Sequence, residues 1–151
     1  MRSPASTLLI TMTGLALLAS APGCSDSEEA PRQVLPVSTS PNFVLYVSNQ
    51  SFDLDPVDIE VRLDGELAVE GDFLVEGQHS WHTFDFELAP GSHELRAVTR
   101  AGETVLSETV EIADRERYGV LDFWYYPPGS SSEPYGPAFS FDLFDEPPVF
   151  D

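Results

Sequence analysis

The feature that most limits how this chain can fold is an alternation of apolar and charged residues with a period of two. It is clearest from Val57 to Leu63, where every second residue is aliphatic and the residues between are charged. Because a β-strand sends alternate side chains to opposite faces, this pattern predicts a strand with one buried and one solvated face. Asp64 and Gly65 follow directly, and an Asp-Gly pair favours the tight turn that joins antiparallel strands.

The alternation recurs along most of the chain, which predicts a fold made of strands. Between Val57 and Tyr126 the only proline is Pro90, which lies in a predicted turn where it does not interrupt a ladder. We count about seven or eight short strands at roughly 8–12-residue spacing and no segment with helical periodicity. The sequence therefore predicts an all-β fold, a small antiparallel β-sandwich over residues 42–126.

The strand pattern resembles immunoglobulin-like, fibronectin-type and transthyretin-like modules. Residues 88–95, with Pro90 and Gly91 at their centre, look like the turn before a late strand in such modules. The resemblance implies an immunoglobulin-like sandwich. It implies no activity, because one fold of this kind hosts many functions.

The N-terminus is typical of a secretory signal peptide. Arg2 supplies a positive charge, an apolar run extends from Leu8 to Ala19, and small residues follow it. The run is shorter than the roughly 20 apolar residues that span a bilayer. We therefore predict a signal peptide over residues 1–23 and secretion across the inner membrane.

Cys24, the only cysteine of the chain, directly follows Gly23 at the end of this segment. The arrangement resembles the lipobox of bacterial lipoproteins, in which the cysteine thiol carries a diacylglycerol and the signal is removed in front of it. The resemblance implies a mature chain that begins at lipidated Cys24 and is anchored by its lipid to a membrane of the bacterial cell envelope. Ordinary signal cleavage after Ala21, or a cysteine present by chance, are the alternatives.

Two segments that flank the predicted sandwich differ from it in composition. Residues 24–41 contain prolines, serines and acidic residues but no aromatic residue, which predicts a flexible, disordered acidic tether. Residues 127–151 begin with a loop rich in proline, serine and glycine, followed by a second alternating stretch at 138–144. We expect this stretch to be an edge strand of the sandwich. The alternative is an aromatic tail that adds a strand to the sheet of another protein.

The charge of the chain excludes one class of partner. Seven basic residues, all arginine, stand against 26 acidic ones, a formal net charge of −19. Nucleic-acid binding depends on basic side chains that neutralise phosphates, so we expect no nucleic-acid partner. Loss of residues 1–23 would remove Arg2 and change the net charge from −19 to −20.

A group of acidic residues is the main candidate for a metal site. Asp53, Asp55 and Asp58 lie in a loop that enters the first alternating strand. Calcium takes six to eight oxygen ligands, and loop carboxylates at this spacing are able to converge. The sequence thus offers a calcium site, with a second acidic cluster at 142–146. The alternative is an acidic surface that keeps the protein soluble.

Catalytic machinery is weakly represented. His79 and His82 point to opposite faces of a strand, and His93 lacks a second histidine at helical spacing, so no zinc site is expected. The chain has no Gly-x-Ser-x-Gly elbow and no glycine-rich phosphate loop. With 26 acidic residues, some carboxylates will lie close together, so the sequence does not exclude a carboxylate pair of the glycosidase type. We expect no enzyme and no resident cofactor other than the calcium considered above.

Large aromatic residues offer a binding surface. Alternation sends Trp124 and Tyr126 to one face of a strand and Phe123 and Tyr125 to the other. One pair fills the sandwich, and the other, with Trp81, forms an exposed platform unless the C-terminal segment covers it. The sequence predicts a non-enzymatic, membrane-anchored envelope lipoprotein whose sandwich binds a protein or glycan. A calcium-stabilised adhesion or carbohydrate-binding domain is the first alternative, and a small hydrolase the second.

Overall fold

The computed structural model describes residues 29–51, 53–76, 80–100, 103–130 and 133–150. Within these ranges the protein is all-β, with no helix, and none of these residues belongs to a helix long and apolar enough to cross a membrane. The predicted signal peptide at 1–23 and Cys24 lie outside the described residues. The strands, in chain order, are β1 Arg32–Gln33, β2 Phe43–Asn49, β3 Val57–Leu63, β4 Glu66–Phe73, β5 His82–Phe86, β6 Gly91–Thr99, β7 Thr104–Ile112, β8 Arg117–Tyr126 and β9 Tyr135–Phe144.

These strands form two sheets that pack face to face, so the predicted small β-sandwich is confirmed. A five-stranded sheet has the order β1-β4-β3-β6-β7, and a four-stranded sheet has the order β5-β2-β8-β9. Each described pair of neighbouring strands is antiparallel except β2 and β8, which run parallel with Phe43 opposite Arg117. The prediction of a purely antiparallel sandwich therefore needs this one amendment, because nothing in the alternation of a single strand specifies its partner.

The core lies between the sheets and comes from the apolar positions of the alternating strands. On β3, all four aliphatic residues are buried while Asp58, Glu60 and Arg62 between them are partly exposed. From β2 and β8 the largest contributors are Phe43 and Phe123, which have no exposed surface. At roughly 25 cal/mol per Å² of apolar surface removed from water, this interior dominates the stability of the sandwich.

The prediction of a flexible, disordered tether is wrong for its described part, because residues 29–41 belong to the sandwich. Arg32 and Gln33 pair with Glu70 and Val69 of β4 as strand β1, which brings the described strands to nine, one more than the upper prediction. Leu35 packs against the core. Composition alone missed this because the segment gains its order from backbone pairing with the edge of β4 as well as from the single apolar contact of Leu35.

Gly71 allows this N-terminal segment to approach β4. Its φ is +144°, and a Cβ built there would lie 2.6 Å from Cα of Pro31. Only glycine fits such a close approach of two backbones. The backbone N–H of Asp72 then donates to the carbonyl of Glu29 at 2.6 Å, which extends the contact beyond β1.

Strand β9 pairs along its length with β8 and forms the edge of the four-stranded sheet. Of the two expectations for the C-terminal region, pairing within the chain is the arrangement that the structure has. Residues 145–150 continue past this strand and are described below.

Candidate binding face

The candidate site is the outer face of the four-stranded sheet, the face turned away from the five-stranded sheet. The alternation along β8 creates it. Phe123 is buried in the core and Tyr125 packs against it, whereas Asp122, Trp124 and Tyr126 point the opposite way. This is the division of the aromatic residues that the sequence predicts.

The structure divides the predicted platform into two aromatic clusters. Trp124 and Tyr126 contact each other edge to face, with ring centroids 6.1 Å apart, and Tyr126 also contacts Tyr135 of β9 at 6.4 Å. The indole N–H of Trp124 donates to the hydroxyl of Ser140 at 2.8 Å. Trp81 belongs to the second cluster, beside β5 at the opposite edge of the sheet from β9.

Phe150 completes the second cluster. Its ring stacks on the indole of Trp81, with centroids 3.8 Å apart and an angle of 17° between the planes. The same ring meets Tyr46 of β2 edge to face at 5.4 Å. The C-terminal segment, residues 145–150, therefore crosses the outer face from the end of β9 to the far side of the sheet.

The outer-face surface formed by Trp81, Val120, Asp122, Asp142 and Phe144 is named the Trp81 groove. The C-terminal segment, residues 145–150, lies across this surface and closes a cavity over it. Val120 is only 7% exposed although it lies on the outer face of its sheet. An apolar groove with a few polar groups is the usual form of a binding site.

Asp122 is a partly buried acidic residue of the groove. Its Oδ1 accepts hydrogen bonds from the hydroxyl of Ser48 at 2.6 Å and from the indole N–H of Trp81 at 2.8 Å. Burial raises the pKa of Asp122 above its usual range; the two hydrogen bonds oppose this shift and the nearby charge of Asp142 adds to it. The carboxylate thus orients the Trp81 ring on which Phe150 stacks.

Further acids surround the groove. Burial and then the charges of Asp85 and Glu116 raise the pKa of the Tyr46 phenol. Asp145, at the start of the C-terminal segment, pairs with Nη2 of Arg115 at 2.8 Å and with Nε of Arg117 at 3.2 Å. Apart from Asp145 in this ion pair, the charged residues that line the cavity are the acidic residues Asp122, Asp142 and Glu146, so their charges favour a positively charged ligand.

Sequence reasoning did not identify Tyr46, Asp122 or Phe150 as members of this site. Asp122 carried a signal, since it is the one charged residue within the apolar and aromatic run from Val120 to Tyr126. Phe150 carried none, because its partner Trp81 is far away in sequence. The groove exists only where these distant segments meet.

The predicted calcium site is not assembled by the structure. Asp58 lies on β3, where its carboxylate accepts hydrogen bonds from Thr99 at 2.9 Å and from Nε of Arg100 at 2.9 Å. Asp55 accepts the backbone N–H of Val75 at 3.0 Å. Among the described residues, which include Asp53, no group of three or more acids, histidines or cysteines is placed to hold a metal ion. Strand pairing separated residues that the sequence placed within one loop.

The described histidines have structural partners. His82 meets the ring of Phe73 edge to face at 5.3 Å. Nδ1 of His93 lies 2.6 Å from Oδ2 of Asp64, and Nε2 lies 2.7 Å from the carbonyl of Ala89. These hydrogen bonds raise the pKa of His93, because the protonated ring donates to both oxygens. His79 lies outside the described residues.

Comparison with known proteins gives no relative: no protein family, curated protein or solved structure matches the chain. The immunoglobulin-like resemblance therefore stays a prediction from the strand pattern. What the fold and the site define is a β-sandwich with an aromatic outer face that is partly covered by its own C-terminal segment.

Proposed function

We propose that this protein is a non-enzymatic lipoprotein of the bacterial cell envelope, anchored through Cys24, whose β-sandwich binds a protein or glycan partner through the outer face of the four-stranded sheet. The observation that carries the binding role is the placement of both aromatic clusters on this one face. Aromatic rings with a polar edge suit both sugar stacking and protein contact. The signal-like sequence that ends at Cys24 supports the anchor. A lipid on Cys24 would contribute about 0.8 kcal/mol of membrane-binding free energy per buried methylene.

Exposed aromatic surface on this face supports a partner. Tyr135 is 50% exposed and Phe144 is 40% exposed, although both belong to β9 beside the clusters. Rings of this size left in water on a sheet edge favour association. Val105 of β7, on the five-stranded sheet, is also a large exposed apolar residue. It therefore serves as a control position outside the proposed binding face.

The anchor is tested with the full chain and its Cys24→Ala variant in a bacterial host. We expect the wild-type protein to be in the membrane fraction and to incorporate a radioactive fatty acid. The variant should be absent from the membrane fraction and should carry no label. Equal membrane attachment of both proteins would contradict the anchor.

The binding face is tested by placing a photo-crosslinking phenylalanine analogue at position 135 or, as the matched control, at position 105. We expect a covalent adduct in the envelope at position 135 and none at position 105. Digestion of the adduct by a protease or by a glycan hydrolase then assigns the partner to one class. Equal adducts at both positions, or none at either, would contradict a partner on this face.

A further inference from the structure

The C-terminal segment occupies the Trp81 groove in the manner of a bound peptide. Asp145 is held by Arg115 and Arg117 at one end, and the ring of Phe150 stacks on Trp81 at the other. Pro147 and Pro148 lie over the groove between these ends. The groove thus receives an extended stretch in which two prolines precede an aromatic side chain.

The segment is attached by side chains and not by a ladder. Within the described part of the chain, no backbone hydrogen bond holds residues 147–150. Val149 is 86% exposed and Phe150 remains 38% exposed even while stacked. Segments held in this way are at the low end of local stability and open without unfolding the sheets beneath them.

The charge of the segment fits the groove poorly. Asp122 and Asp142 belong to the lining, and Glu146 of the segment adds a further acid. The arginines at the entrance are already paired with Asp145. Like charges at this distance weaken binding, whereas a segment with positive flanks gains from the same field.

We infer that the Trp81 groove is a peptide-binding site for an extended segment of a partner protein, with prolines ahead of an aromatic side chain and basic residues on its flanks, and that the chain's own C-terminal segment occupies it until that partner displaces it. The inference rests on the proposed function, since it names the partner class and the regulation of the same face. Proline-rich segments dock into aromatic-lined grooves in several domain families by the same physics.

The C-terminal segment competes with a partner for the groove as part of the same chain, and this determines how strongly it lowers the partner's apparent affinity. A short linker gives its segment an effective concentration of the order of millimolar. If a free peptide of the same sequence binds with a dissociation constant of about 0.1 mM, the closed state is about tenfold favoured, and the apparent affinity for a partner falls by about tenfold. Release of the segment should therefore raise the apparent affinity for the partner by about tenfold.

The test uses two fluorescent peptides and the full chain. One peptide has the sequence of residues 145–151, and in the other Glu146 and Asp151 are replaced by lysine while Asp145, the partner of Arg115 and Arg117, is kept. Binding is measured by fluorescence anisotropy to the wild-type protein, to Phe150→Ala, and to Val149→Ala as the matched control within the same segment. Circular dichroism establishes that each variant is folded, and Phe150→Leu serves if Phe150→Ala is not.

We expect the basic peptide to bind Phe150→Ala about tenfold more tightly than it binds the wild type or Val149→Ala. The acidic peptide should bind Phe150→Ala more weakly than the basic one, and added salt should reduce this difference. Adding Trp81→Ala to Phe150→Ala should abolish binding of both peptides.

Other results would overturn the inference. These are a folded Phe150→Ala that binds neither peptide, equal binding to wild type and Phe150→Ala, or binding of a soluble oligosaccharide but of no peptide. A wild-type dimer that dissociates on the Phe150→Ala change would assign the groove to a second copy and overturn it as well. None of these results affects the test at positions 105 and 135, so a failure here is distinct from a failure of the proposed function.

Discussion

The side chain of Gln33 pairs with the backbone of Asp85 as a neighbouring strand would. Its Nε2 donates to the carbonyl of Asp85 at 2.8 Å, and its Oε1 accepts the backbone N–H of Asp85 at 3.0 Å. Gln33 lies on β1 at the edge of one sheet and Asp85 on β5 at the edge of the other. One amide side chain thus joins the two sheets and satisfies two backbone groups at the edge of the described four-stranded sheet.

The first prediction concerns this bridge. Gln33→Ala should lower the free energy of unfolding by about 1–2 kcal/mol, because the backbone N–H of Asp85 loses its partner and its carbonyl keeps only the longer bond from the N–H of Ser38 at 3.5 Å. Urea denaturation measures the change. Val37→Ala is the control, since Val37 is 68% exposed in the same segment and its truncation should have little effect. Equal effects of both substitutions would contradict the bridge.

The second prediction concerns the close approach of the N-terminal segment to β4. Gly71→Ala should destabilise the protein by about 1–3 kcal/mol, because the new methyl group meets Pro31 and the backbone is in a region that alanine rarely adopts. Gly136→Ala is the matched control, since a Cβ there meets open space. Hydrogen exchange should show that residues 29–33 lose protection first. Unchanged protection in Gly71→Ala would show that the segment is held elsewhere.

The third prediction is a pH dependence from His93 and Asp64. The pKa of His93 is raised from 6.5, first by its hydrogen bond to Asp64, so its contribution to stability is complete below pH 6.5 and is lost as the pH rises through the raised value. The pKa of Asp64 is lowered from 3.8, first by the same bond, so its contribution is present above pH 3.8 and is lost as the pH falls through the lowered value.

The pair should therefore stabilise the protein most between about pH 4 and pH 6.5. Thermal melts of the wild type and His93→Gln at pH 5.5 and pH 8.5 measure this. From pH 5.5 to pH 8.5, we expect the melting temperature of the wild type to fall by more than that of His93→Gln. The same loss in both proteins would exclude the pair as its source.

The fourth prediction separates the two roles of Asp122. Asp122→Asn keeps an oxygen that accepts from Ser48 and Trp81, whereas Asp122→Ala leaves both donors unsatisfied in a partly buried site. At pH 7 the Asn variant should be more stable than the Ala variant by about 1–3 kcal/mol.

The raised pKa of Asp122 gives this comparison a pH signature. Since the folded state binds the proton more tightly than the unfolded state, wild-type stability should fall as the pH rises from 3.8 through the raised pKa. Urea denaturation across this range should show a smaller fall in Asp122→Asn. An identical pH profile in both proteins would contradict the electrostatic role of the carboxylate.

The sequence predicted the parts of the fold that depend on local pattern. Val57 to Leu63 became a strand because its alternation matches the pleat, and Asp64 takes a positive φ of 51° in the predicted turn. The division of the aromatic residues along β8 followed from the same rule. Each of these features is decided by residues that are close in the chain.

The rest depended on contacts between distant residues, which one sequence does not specify. Gln33 gains its order from Asp85, and Phe150 gains its place from Trp81. Asp58 failed as a metal ligand because strand pairing set it beside Arg100. Composition described residues 24–41 as short of core residues, but the contacts of the described part of this segment decided its structure.

The parallel pairing of β2 with β8 also sets the order in which the molecule is completed during synthesis. Ser48 and Asp122, which are bonded across these strands, are 74 residues apart in sequence. All five strands of one sheet are present once the ribosome has delivered Ile112, but the other sheet then has only β5 and β2. Closure of such long loops is slow. A nascent chain of this protein therefore carries an unfinished four-stranded sheet until β8 and β9 have been synthesised.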